Sequence, residues 1–118
     1  MVRGPFYSPW RRVGDLLIVS GQVGVVPETG ELVEGGTAAQ LRQALANGAA
    51  VLGTAGATLA DVVKATIFIL DMNDFEAVNE VWLDTFSDPL PARSTVAVAQ
   101  LPRGAKAEVE FWAHSPEN

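Results

Sequence analysis

The sequence predicts an α+β fold, a mixed β-sheet with two helices packed on one face, and three observations carry that expectation. Short apolar runs at Leu16–Ser20 and Val62–Leu70 are bounded by turn or capping residues, as buried strands are. Two intervening segments carry apolar residues at helical spacing. The closing stretch Ala105–His114 alternates with period two. The 118 residues (12.5 kDa) suit one domain spanning 1–118, with no linker, repeat or low-complexity tract. Size scaling leaves about 6,200 Å² exposed from roughly 18,000 Å² unfolded, enough burial for a core without covalent staples.

The elements follow in chain order. Leu16–Ser20 reads as a strand apolar on both faces, ended by Gly21, and Val23–Val26 continues the pattern. Pro27-Glu28-Thr29-Gly30 supplies a turn, with Pro setting φ and Gly accepting a positive one. Thr37 followed by Gln40 has the form of a capping box, and the helix it opens runs to about Ala55. Its stripe of Leu41, Ala44, Leu45, Gly48, Val51, Leu52 and Ala55 is made mostly of small residues. Gly48 costs a helix about 1 kcal/mol in mid-span, so another backbone or ring must approach closely there. Gly56 is the expected stop.

Thr58–Asp61 reads as a short capped turn into the strand Val62–Leu70. Asn73 with Glu76 is a second capping signal, opening a helix with Phe75, Val78, Trp82 and Phe86 on one face. Ser87–Pro91 ends it, and strands at about Ser94–Ala99 and Ala105–His114 close the chain around a turn at Pro102-Arg103-Gly104. The order is β(β)–β–α–β–α–β–β. Two helices cover one face of such a sheet, yet Leu16–Val19 and Ile67–Leu70 are apolar on both sides. With no spare chain, the expected cover is another copy of the subunit.

Composition narrows the chemistry. There is no cysteine and a single histidine, His114, so thiol catalysis, disulfides, His-based triads and metal sites of nitrogen and sulfur ligands are excluded. A net charge of −6, with no basic cluster larger than Arg11-Arg12, argues against a dedicated nucleic-acid binder. The longest apolar runs fall far short of the roughly 20 residues that span a bilayer, and the first ten residues hold no secretory apolar region. A soluble, cytoplasmic protein is the expectation.

Few residue types remain to carry chemistry. On the last strand Glu108 and Glu110 share a face with Lys106, Trp112 and His114, about 7 Å separating the two carboxylates along the strand. A solvated strand face is the plainer reading of that pair. Arg93 enters an apolar strand behind Pro91-Ala92 and must find an anion, either a ligand's or a carboxylate such as Glu108 or Glu110. The residues alone leave both readings open. Ser20-Gly21 offers a hydroxyl and open backbone at a strand end, and equally suits a bare terminus. Gly21-Gln22-Val23-Gly24 lacks the third glycine of a dinucleotide fingerprint.

Taken together, these segments resemble the RidA (YjgF) family of reactive intermediate/imine deaminases, over nearly the whole chain. The most specific stretch is Pro91-Ala92-Arg93-Ser94 through Leu101-Pro102-Arg103-Gly104 to Glu108-Val109-Glu110. Val13-Gly14-Asp15, Val19-Ser20-Gly21-Gln22, Thr29-Gly30-Glu31-Leu32-Val33, Asp61-Val62-Val63-Lys64 and Asp71-Met72-Asn73-Asp74-Phe75 support it. The resemblance implies a chorismate-mutase-like fold, assembled as a homotrimeric barrel with sites in the clefts between subunits. It implies hydrolysis of 2-imino acids (2-iminobutanoate, 2-iminopropanoate) to 2-oxo acids and ammonia, with no metal or cofactor. Arg93 then matches the arginine that grips the substrate carboxylate and Glu108 the glutamate that orients water; Tyr7, Ser20, Gly21 and Thr95 match substrate-binding positions.

Thr95 stands where the family often has cysteine. Gly4-Pro5-Phe6-Tyr7 is one residue longer than the usual stretch, with Pro9 in place of a common glutamine, so Phe6 competes with Tyr7 for the pocket. The alternative functions are a non-catalytic binder of 2-oxo or other small carboxylic acids, and a ribonuclease or translation inhibitor.

Overall fold

The computed structural model describes residues 6–116. Among them five strands form one sheet: β1 (Trp10–Val13), β2 (Leu16–Val23), β3 (Val62–Ile69), β4 (Ala92–Ala97) and β5 (Ala107–His114). Their spatial order is β1-β2-β5-β3-β4, antiparallel throughout except for the parallel pair β3–β4. Helix α1 (Gly36–Thr54) joins β2 to β3 and α2 (Phe75–Thr85) joins β3 to β4. Each joins two strands of like direction, so each is a crossover, and both pack on the same side of the sheet.

Alternation along the strands decides the core. Leu17 and Val19, then Ala65, Ile67 and Ile69, then the odd-numbered residues of β5 face the helices and are buried. They meet Leu41, Ala44, Leu45 and Leu52 of α1 and Val78, Val81 and Trp82 of α2. The close approach expected at Gly48 is that of the Phe111 ring, which a Cβ there would overlap. Gly56 follows the helix with φ +80°, the expected stop. The turn at 27–30 is present, with Gly30 at φ +74°.

Several local expectations are corrected. Thr37 and Gln40 form no capping box: the Thr37 hydroxyl donates to Asp74 Oδ2 (2.8 Å) and Gln40 Oε1 accepts from the Lys106 N–H (2.7 Å). Gly35, in a left-handed conformation, takes the cap position instead. At the second helix Asp71, not Asn73, does the capping, accepting from the Asn73 N–H at 2.9 Å in a short 3-10 turn ahead of α2. Val23–Val26 is not continuous strand; β2 ends at Val23 and Val25 makes a single bridge to Leu32. The fourth strand begins two residues earlier than expected and ends at Ala97. The capped turn at Thr58–Asp61 is present, the Thr58 N–H donating to Asp61 Oδ2 at 2.9 Å.

The second face of the sheet is open in the single chain. Leu16, Ile18, Thr66 and Phe68 are only half-buried there, and Trp112 and Val96 are exposed. The double burial expected for these runs is therefore not supplied by this chain's own residues. No described helix is long and apolar enough to cross a membrane.

Candidate active site

Arg93 is placed by β4, an edge strand whose residue 93 pairs with the buried Ala65 of β3. Its side chain therefore lies on the helix side. There α2 presents Phe75, Asn79 and Trp82, spaced four and three apart along one stripe. The guanidinium donates to Asn79 Oδ1 at 2.5 Å and lies 5.1 Å from the Trp82 and 5.6 Å from the Phe75 ring centroids. Partial burial lowers its pKa from the ordinary value, yet arginine keeps its charge at neutral pH. No carboxylate among the described residues pairs with it, so a salt bridge to Glu108 or Glu110 is not what satisfies it. One of five N–H donors is committed to Asn79, leaving a fork for an anion.

Thr95 is two residues along the same strand face. Its Oγ1 is buried and has no hydrogen-bond partner among the described residues. An orphaned buried hydroxyl beside an unpaired arginine is what a missing ligand or a missing neighbour would leave behind.

Glu108 lies elsewhere. It pairs with Val23 and Phe68 and projects from the open face. The bulge in β2 between Val19 and Gln22 brings Gly21 against it, so that a Cβ on Gly21 would lie 2.6 Å from Glu108 Oε2. Glycine is required there for the carboxylate to keep its position. Burial, and then the neighbouring Glu110, raise the Glu108 pKa. Ser20 holds the chain end over the same region: its hydroxyl donates to the Ser8 carbonyl (2.6 Å) and its N–H to that of Pro9 (3.0 Å). A cavity of about 630 Å³ results, with Glu108, Ser20, Gly21 and Tyr7 in its wall. Tyr7 lines it and Phe6 does not; Phe6 is 80% exposed, while Gly4 and Pro5 lie outside the described residues.

The sequence-derived residues thus fall into two separate groups. Tyr7, Ser20, Gly21 and Glu108 converge on the open face; Arg93 and Thr95 sit on the helix face at the β4 edge, with β3 between β4 and β5. One chain does not bring them together. Sequence reasoning missed Asn79, a polar residue on an otherwise apolar helix stripe, which was the available signal. Among the described residues no cluster of three His, Asp or Glu side chains converges as a metal site would require.

The family profile described as Endoribonuclease L-PSP matches residues 3–115. The chain belongs to the RidA (YjgF) family. Among its RidA relatives, the 2-iminobutanoate/2-iminopropanoate deaminase of Dermatophagoides farinae is 46% identical over 107 residues, 91% of this chain and 83% of that protein. The crystal structure of RidA from the Antarctic bacterium Psychrobacter sp. superposes with a TM-score of 0.89 at 41% identity, covering 96% of this chain and 91% of that one. E. coli TdcF, solved with bound serine, gives 0.85 at 38% identity, covering 96% and 90%. The RidA-type fold inferred from the sequence is therefore the fold observed.

Proposed function

We propose that this RidA-family chain is a hydrolytic deaminase of reactive 2-imino acids, giving 2-oxo acids and ammonia, and that its site forms between copies in a homotrimer. One observation carries the reading: an arginine without a carboxylate partner and a carboxylate of raised pKa, each built into a fixed setting, on opposite faces of one sheet. A head-to-tail ring of subunits apposes the β4 edge of one chain to the open face of the next and closes on itself. It also covers the apolar residues that the single chain leaves uncovered. The number three comes from the family resemblance.

Each residue then has a task. Arg93, oriented by Asn79 and two aromatic rings, takes the substrate carboxylate with two parallel N–H donors. Thr95 Oγ1 completes its hydrogen bonding on the same carboxylate. From the neighbouring chain, Glu108 accepts a proton from a water as that oxygen bonds to C2 and the C=N π pair moves to nitrogen. The carbinolamine collapses when the new hydroxyl reforms as C=O. The C–N bond breaks, nitrogen takes the proton, and ammonia leaves. A protonated imine is already electrophilic, so positioning and one base suffice, which accords with a chain lacking cysteine. Serine in E. coli TdcF, with a carboxylate and a nitrogen on one carbon, is a ligand of the same outline.

The profile's description points instead to RNA cleavage. A net charge of −6, and a carboxylate set opposite Arg93 in the proposed site, disfavour a polyanion. The deciding experiment is steady-state hydrolysis of 2-iminobutanoate and 2-iminopropanoate generated in situ. Arg93→Ala is expected to lower kcat/KM at least about 100-fold, the loss of two charge-assisted hydrogen bonds, with the oligomeric mass unchanged. Retained turnover would refute the assignment. Binding of a 2-oxo acid without any turnover in the wild type would favour a small-acid binder.

A further inference from the structure

Glu108 sits where its ladder runs out. It is the second residue of β5, and its partner Val23 is the last residue of β2. Strand ends fray unless something ties them, and a carboxylate that must aim one water cannot ride on a loose end. The ties come from α1, on the helix side of the sheet. Asn47 Nδ2 donates to the carbonyls of Val23 (3.0 Å) and Val25 (2.8 Å), while its Oδ1 accepts from Gln43 Nε2 (2.9 Å), so both ends of the amide are committed. Between those two carbonyls the chain turns sharply, the Val25 N–H donating to the Val23 carbonyl at 2.9 Å. Gly24 at this turn lies on the backbone of α1, where a Cβ would come within 2.4 Å of the Gln40 carbonyl oxygen.

Gln40 stands seven residues before Asn47, on the same stripe of α1. Its Oε1 accepts from the Lys106 N–H at 2.7 Å, two residues ahead of Glu108. The side chain is only 6% exposed, and burying an amide costs free energy that its hydrogen bond offsets. One amide thus holds β2 at Glu108's partner, and the other holds β5 just before Glu108 itself. All these contacts lie within one chain and away from the open face, so a neighbouring copy on that face leaves them in place. Building on the deaminase reading, we propose that Gln40 and Asn47 are positioning residues that hold the Glu108 carboxylate where the attacking water needs it.

The test uses Gln40→Met, which keeps length and burial without an acceptor, and Asn47→Ala, a good helix residue without the two donors. With 2-iminobutanoate generated in situ, each is expected to lower kcat about tenfold and to leave KM within about twofold, because Arg93 still grips the substrate and only the water is misplaced. Asn47→Ala carries the test if Gln40→Met fails to fold. Unchanged kcat in both overturns the proposal, as does a raised KM at unchanged kcat.

Mixtures separate positioning from general damage. Co-refolded with Arg93→Ala chains, whose Glu108 is sound, either variant is expected to rise severalfold above the unmixed sum. With Glu108→Gln chains it should gain nothing beyond its own residual rate. Equal recovery in the two mixtures, or none in either, is what a merely structural role gives and overturns the proposal. A mixture of Arg93→Ala with Glu108→Gln is the control. If that control regains nothing, the between-copies reading fails, and the split between kcat and KM decides the positioning role alone. Wild-type turnover with unchanged kcat in both variants leaves the deaminase reading standing. No turnover of any imine by the wild type defeats both.

Discussion

Glu108 is set against its own ionisation by partial burial and by the like charge of Glu110, and the direction of that shift has two readable effects. Turnover that needs the carboxylate must fall as pH drops through the raised pKa. The acid limb of kcat/KM is therefore expected above the ordinary carboxylate range, and absent in Glu108→Gln. For stability the sign reverses. A carboxyl whose folded pKa is raised favours folding below its unfolded pKa, and that contribution is lost as pH rises through the folded value. Glu108→Gln should thus melt above wild type at pH 7, with the advantage vanishing below the ordinary carboxylate range; thermal melts across pH read this directly. Arg93 and Glu108 were nameable from residue type and resemblance. Their separation was not, because it depends on which strands β4 and β5 adjoin, and Asn79 was not, because its partner is 14 residues away on another element.

Helix α1 was legible because its signal is local: a stripe of small residues with a glycine at its centre fits only against something close. That something is the Phe111 ring of β5. Gly48→Ala is expected to lose about 1–3 kcal/mol to overpacking, outweighing the ~1 kcal/mol the helix gains, and a lowered urea midpoint would register it. A rise in stability would show that the helix shifts freely on the sheet. Alternation in β3 and β5 was legible for the same local reason. The caps were not: Thr37 answers to Asp74 and Gln40 to Lys106, 37 and 66 residues away, and no short-range pattern encodes such partners. Trp10–Val13 gave no alternation of its own to read, since four residues with two arginines carry too little period.

At the scale of the molecule, the two half-sites make a prediction about mixtures. Chains carrying Arg93→Ala keep a sound Glu108, and chains carrying Glu108→Gln keep a sound Arg93. Co-refolded in equal amounts, they are expected to regain activity, because every mixed trimer contains one junction where the intact halves meet. The double variant, mixed with either single variant, should regain none. Light scattering should give three times the chain mass for each preparation, and failure of complementation at that mass would place each site within one chain.

That division of labour also has a genetic meaning. In a ring where each chain lends Arg93 to one junction and Glu108 to another, each chain damaged at one of these residues silences a single junction, so a mixed ring keeps one working junction for every sound chain in it. The other junctions go on working. Such alleles should behave as recessive, whereas an allele whose chain joins the ring lacking both Arg93 and Glu108 silences two junctions at once and should depress its partners more.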